Sequence, residues 1–221
     1  MLPELPYLRF LNGRQNDVPI LAGWNADEGL PFIPFSFPHD TVQNFINAAT
    51  NGFGAANLAS FLQLYPAASV AQAAQSAQSF EGDLTIKYQT WCWANLQHIT
   101  GHSPVFVYNF SFTSAYTPIA THTTEVDYVF GNFVPNPFNG AAVPSAQDLT
   151  ESDAMETYWT KFARPANPDG PGVPHWPQYE GAGSQALQIG NVIQAGPEDG
   201  TARFEFLNQF RVNGLIPIGQ H

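Results

Sequence analysis

The sequence predicts an α/β fold with a mostly parallel sheet, on three observations. Apolar runs without alternation at 18–23 and 104–112 suit strands buried on both faces. Segments with helical spacing of apolar residues lie between and after them, the longest at 83–99. Strands separated by helices are the signature of crossover units feeding one sheet.

Each element follows from its residues. Residues 3–15 read as a turn-rich approach, with Gly13 near its end. The run 18–23 is the first strand and enters the acidic turn NADEG. Residues 31–38 (PFIPFSFP) form an aromatic loop. A helix over 40–49 carries Val42, Phe45 and Ile46 at helical spacing, with Asp40 as its expected cap. Two short helices follow at 58–65 and 69–79, separated by Pro66. The helix at 83–99 places Ile86, Trp91, Trp93, Leu96 and Ile99 as apolar positions and stops at Gly101. Residues 104–112 (PVFVYNFSF), rich in β-branched and aromatic side chains, form the clearest strand. A short helix is expected at 123–130, a loop at 132–144, and a helix at 145–163 capped by Ser145, with Leu149, Met155, Trp159 and Phe162 as its apolar positions. Residues 164–177 are irregular by their Pro and Gly content. A last strand is expected at 185–193 and a terminal helix at 201–211. About three strands is a thin layer for so many helices, so the expectation is a partial sheet whose open edge and apolar faces need further strands.

Composition narrows the function. Charged residues are only 11% of the chain, against a usual ~25%. The 7 basic residues form no cluster and are outnumbered by 18 acidic ones, so nucleic acid is not an expected partner. No apolar run approaches the ~20 residues that span a bilayer, and the first residues lack the basic and apolar regions of a signal peptide. The single Cys92, in WCWAN, reads as a small buried apolar residue. His98 and His102 have the spacing of two zinc ligands on a helix, but Gly101 interrupts the helix and no third ligand is in view, so no metal is expected. No cofactor motif is present.

Two places carry chemistry. Glu28 sits in the acidic turn after the first strand, and His122 opens HTTEVDYVFG after the second. An acid that orients an imidazole makes that imidazole a general base. On local sequence alone, Glu28 also fits a solvated turn acid or a helix cap. Asp27 beside it reads as a turn-builder. The partner such a pair would activate, a serine on a G-x-S-x-G elbow, is not found: none of the eleven serines has glycine on both sides at the required spacing. Ser103 (GHSPV) comes nearest, but Val105 stands where the second glycine belongs, and the serine precedes a strand instead of following one.

The collinear run GRQNDVPILAGWNADEG, FEGD at 80–83, PVFVYNF, HTTEVDYVFGNF and YWTKFARPANPDGPGVPHWPQY resembles the C-terminal part of the type B carboxylesterase family, an α/β-hydrolase group. The resemblance covers nearly the whole chain. It implies a single C-terminal portion of an esterase domain over residues 1–221, with Glu28 as triad acid, His122 as base, and the serine and oxyanion-hole glycines in an N-terminal portion. It implies Asp83 as a buried hydrogen-bonder or helix cap, and Glu125 as a residue ordering the helix after His122. Trp24, Phe32, Phe35 and Phe37 are candidates for an apolar ester pocket or for plain core. The implied substrate is a small apolar ester, the implied partner the missing N-terminal half, and the implied location secreted or periplasmic. Thr123 departs from the family, which often has Gly or Ala there. Two alternatives stand beside this reading: a non-catalytic binding protein of the same fold, and an inactive fragment.

Overall fold

The computed structural model describes residues 4–30, 37–134 and 143–212. They form two compact units, one from the described residues of 4–26 and 90–199, the other from those of 27–89 and 200–212.

The first unit holds the sheet. Strands β1 (Ile20–Asn25), β2 (Val105–Phe110), β3 (Gln185–Ile189) and β4 (Ile193–Pro197) lie in the order β1-β2-β3-β4. β1 and β2 are parallel, in register from Ile20 opposite Val105 to Asn25 opposite Phe110. β3 is parallel to β2, and β4 runs back antiparallel along β3. The sequence reading of 185–193 as one strand is corrected here: Gly190, in the turn, splits it into a hairpin, and pairing resumes at Ile193 opposite Ile189.

Even-numbered residues of β2 build one face. Phe106, Tyr108 and Phe110, with Phe112 just past the strand, pack with Leu187 and Ile189 of β3, and with Tyr128, Met155 and Tyr158. The last three come from α6 (Thr124–Val129) and α7 (Ala146–Phe162). The irregular segment 164–177 seals this core with Trp176, whose Nε1 donates to the Val107 carbonyl at 3.0 Å. α7 begins with the expected Ser145 cap, and Asp148 completes it as a capping box. Leu149, expected in the core, is 49% exposed. α5 (Tyr88–Thr100) contributes Trp91 and Asn95 to a second buried network. There Glu198 accepts from Trp91 Nε1 at 3.0 Å, the Tyr179 hydroxyl at 2.7 Å and the Gly183 amide at 3.0 Å. Cys92 is buried, but Trp93 and Ile99 of α5 point outward, against the sequence reading. The approach segment is not only turn: α1 (Pro6–Leu11) forms with Pro at its first position.

The second unit is helical: α2 (Val42–Phe53), α3 (Leu58–Leu64), α4 (Val70–Gly82) and α8 (Thr201–Val212). α2 is capped by Thr41, whose hydroxyl accepts from the Asn44 amide at 3.0 Å; Asp40, the expected cap, binds the Asn44 side chain instead. The core is a stack of aromatic rings centred on Phe61, which meets Phe45, Phe53, Tyr65, Phe80 and Phe206 with centroids 4.9–6.1 Å apart. Phe37 packs onto Phe45, Phe61 and Phe80, which makes it core. The sequence places a separate helix at 83–99; instead Asp83–Lys87 form a π-helical turn continuous with α4 and α5. Asp83 is therefore no cap. It is fully buried, accepting from the Tyr65 hydroxyl at 2.7 Å and from Arg203 Nε at 2.6 Å. Burial raises its carboxyl, against the pull of Arg203 and Lys87. Among the described residues no helix is long and apolar enough to cross a membrane.

One buried group gives the fold a pH dependence. Glu151 of α7 is 7% exposed, and its Oε1 has no hydrogen-bond partner among the described residues. Burial, and then the neighbouring Asp148 charge, lift its carboxyl to about 7. Above the ordinary carboxyl range and below 7, the folded chain holds a proton that the unfolded chain has lost. The stability so contributed is complete at acid pH and is lost as pH rises through about 7. Chemical denaturation from pH 5 to 8 should show this slope, and Glu151→Gln should flatten it, gaining roughly 1–3 kcal/mol over the parent at pH 8. A variant keeping the parental slope would assign the effect to another group.

Candidate active site

β1 ends at Asn25, and the Ala26 amide continues its ladder by donating to the Phe110 carbonyl at 2.8 Å. The acidic turn follows at once, closed by the Leu30 amide on the Asp27 carbonyl at 3.2 Å. Glu28 is buried, at 3% exposure. Asp27 is half-buried, touched by Gln78 Nε2 at 3.4 Å, and burial raises its carboxyl against the pull of Lys87. These contacts suit the turn-building role read from the sequence.

Two glycines fix the height of this turn on α4. A β-carbon at Gly29 would overlap the Gln78 carbonyl oxygen and stand 2.8 Å from the Gly82 nitrogen. One at Gly82 would stand 2.7 Å from the Gly29 nitrogen and 3.2 Å from Glu28 Cβ. Backbone therefore meets backbone, and Glu28 rests on the bare face of Gly82. The sequence reading took the acid from FEGD and overlooked its glycine; two motifs that each place a glycine beside a carboxylate were the available signal.

His122 follows β2 through a loop anchored by Ser114. The Ser114 hydroxyl accepts from the Tyr116 and Thr117 amides, each at 3.0 Å, and donates to Asp148 at 2.6 Å. His122 then sits inside a tight turn in which the Thr124 amide donates to the Thr121 carbonyl at 3.2 Å. Thr123, next in the chain, has φ 69° and ψ 0°. Those angles belong to the third residue of a type II turn, which glycine ordinarily fills because a side chain is strained there. The departure at Thr123 noted in the sequence thus falls on a left-handed residue.

Asn25, which the sequence reading missed, joins the end of β1 to the histidine turn. It is fully buried, and its Nδ2 donates to the Thr121 carbonyl at 2.6 Å and to Glu125 Oε2. Tyr108, laid across Gly23 where a β-carbon would overlap its ring, brings its hydroxyl to 3.5 Å from Glu125 Oε1. The only signal for Asn25 was its place as the last residue of an apolar strand, where a polar side chain needs a partner. Asn25, Tyr108, Glu125 and His122 are thus brought together in the sheet unit, while Glu28, Asp27 and Asp83 belong to the helical unit. Trp24 is 1% exposed, on the face of β1 that carries Ile20 and Ala22. Phe32 and Phe35 lie outside the described residues. His98 packs against Tyr179, and the backbone of His102 donates to Asp17. Among the described residues no three His, Cys, Asp or Glu side chains are grouped to hold a metal.

The sequence model of the carboxylesterase family matches residues 1–207. This chain belongs to the carboxylesterase family. It is 38% identical over 108 residues to Carboxylesterase 1D of Rattus norvegicus, covering 41% of this chain and 18% of that protein. It is 28% identical over 203 residues to Fumonisin B1 esterase of Sphingopyxis macrogoltabida, covering 85% of this chain and 35% of that one. Among solved structures, a thermophilic PNB esterase superposes with a TM-score of 0.71 at 24% identity, over 93% of this chain and 41% of its own. A second PNB esterase gives 0.67 at 21% identity, again over 93% and 41%. The fold is thus part of an α/β-hydrolase, and the chain spans well under half the length of these relatives.

Both turns yield tests by denaturation. Gly82 has ordinary helical angles, so alanine there would gain helix propensity of roughly 1 kcal/mol in an open helix. Against Gly29 it should instead cost about 1–3 kcal/mol. Thr123→Gly relieves a strained position and should raise stability by about 0.5–1 kcal/mol, the relief being partly offset by the entropy of glycine.

Proposed function

We propose that this chain supplies the acid and the base of a Ser-Glu-His triad in a carboxylic-ester hydrolase, with Glu28 as acid and His122 as base. The serine and the oxyanion-hole donors would come from polypeptide outside these 221 residues. His122 takes the serine proton as the hydroxyl attacks the ester carbonyl, then returns it to the departing alkoxide. It repeats the cycle with water to release the acid. Glu28 accepts a hydrogen bond from the other ring nitrogen, sets the tautomer and stabilises the imidazolium formed in each half-reaction. A small apolar ester fits the aromatic character of the segment after the acid turn, and the partner would be the N-terminal half of the same enzyme.

One observation carries the reading. β1 and β2 are parallel neighbours, so both end on the same edge of the sheet, and Asn25 ties the last residue of β1 to the turn that holds His122. Glu28 follows Asn25 in the very next turn. Ligand chemistry in open α/β sheets gathers at the carboxyl ends of the strands. The family membership and the order acid-then-base along the chain support the same assignment.

Two measurements test it. Nuclear magnetic resonance of the 221-residue chain should show a low-field ring N–H proton from His122 that disappears in Glu28→Gln; an unchanged signal would dissolve the pair. The purified chain should not turn over a simple aryl ester. Turnover abolished by His122→Ala would place the nucleophile inside this sequence and overturn the division of labour.

A further inference from the structure

We propose that Asn25 is a positioning residue for His122, acting through the turn and not on the substrate. The inference rests on the reading of His122 as the general base. Asn25 is the last residue of β1 and fully buried, and its Nδ2 donates to the Thr121 carbonyl at 2.6 Å and to the Glu125 carboxylate. These partners flank His122 on both sides. The Thr121 oxygen thereby accepts two donors, Asn25 and the Thr124 amide at 3.2 Å, which occupies both of its lone pairs. Glu125 is held from a second side by the Tyr108 hydroxyl at 3.5 Å. A single amide on a rigid strand therefore grips the turn before and after the histidine.

The strain at Thr123 gives the grip its purpose. A β-branched residue at φ 69° is disfavoured, and a turn free to relax would move toward an ordinary backbone. Relaxation would rotate the peptide units on either side of His122 and swing its ring. Fixing the Thr121 carbonyl and the Glu125 side chain on β1 holds the turn in the strained form, with the imidazole direction set by the sheet. Glu125 also brings negative charge to a half-buried place, and a donor from a neutral amide satisfies it without adding a second charge beside the imidazole. Asparagine suits this role better than its neighbours in size. Asp would offer no donor and would repel Glu125, and Leu would leave the carbonyl without its second partner.

The test uses the 15N-labelled 221-residue chain, read at the ring nitrogens of His122 and at the Thr124 amide. In the parent the His122 nitrogens should report one dominant tautomer. In Asn25→Ala they should move toward the averaged mixture of an unrestrained histidine, and hydrogen exchange at Thr124 should quicken by about tenfold or more. The double variant Asn25→Asp/Glu125→Gln reverses donor and acceptor and should recover part of the parental signal. Should Asn25→Ala fail to fold, Glu125→Ala carries the test, since it removes one arm and should move the Asn25 side-chain amide protons and the His122 nitrogens together. A folded Asn25→Ala or Glu125→Ala whose His122 signals match the parent would overturn the proposal. Glu28→Gln separates the two readings. If it alters the His122 ring while Asn25→Ala does not, only the positioning role fails. If Asn25→Ala alters it and Glu28→Gln does not, the acid–base pair fails and the positioning role stands.

Discussion

The parallel pairing of β1 with β2 is the constraint on which the site depends. Parallel neighbours cannot be joined by a tight hairpin; they need a crossover, and here the chain between them builds α2, α3, α4 and α5. The result of a parallel register is that both strands deliver their C-terminal residues to the same edge. Asn25 stands opposite Phe110 there, and the Ala26 amide still finds the Phe110 carbonyl. A shift of one residue would turn Asn25 to the opposite face and bring Trp24 to the side now occupied by Phe110 and Tyr108. The buried amide would lose its partners and the indole its place.

The two turns that follow these strands are held by different physics. The acid turn is placed by the absence of side chains: Gly29 and Gly82 let two backbones touch, and any added atom meets main chain that cannot yield. The histidine turn is placed by added bonds, because nothing in its own residues favours the left-handed Thr123. Sterics are stiff and need no solvent exclusion. Hydrogen bonds from a buried amide are directional, and losing one leaves a desolvated carbonyl or carboxylate behind. The chain thus fixes a glutamate by contact and a histidine by polar restraint.

Much of this was legible in the sequence where a local rule and a tertiary need agree. β2 was clear because an apolar run of aromatic and β-branched residues is what a strand buried on both faces requires, and all six of its residues are buried. The cap of α7 was clear because Ser145 is a residue type whose own side chain caps a helix start, a purely local rule. The hairpin of β3 and β4 was missed because the apolar residues on either side, Ile189 and Val192-Ile193, drew attention from the turn pair Gly190-Asn191 that separates them. The join of α4 to α5 was hidden because periodicity gave helices at 69–79 and 83–99 with a gap between them; Gly82, in that gap, keeps helical angles and receives Gly29. Ile99 and Trp93 were misread as inward because helical periodicity cannot say which side of a helix has a neighbour in the chain. Glu28 and His122 stood out by chemistry and by likeness to a family. Asn25 did not, because a strand-terminal asparagine carries no signal until its partners, far away in the chain, are brought to it.

The balance at the histidine turn can be argued from magnitudes. A left-handed residue other than glycine costs about 1–2 kcal/mol, and a β-branched one lies toward the upper end. A buried hydrogen bond between neutral groups returns about 1 kcal/mol and one to a charged group about 1.5–3. Asn25 makes one of each, to Thr121 and to Glu125, so its bonds exceed the strain at Thr123. That surplus is why a threonine can occupy a place that turn geometry reserves for glycine. It also predicts a coupling: with Asn25 removed, glycine at Thr123 should stabilise the chain less than it does in the parent, because the released turn has already shed part of the strain. A double-mutant cycle of Asn25→Ala with Thr123→Gly reads that interaction directly, and strict additivity of the two changes would mean that amide and turn do not act on one another.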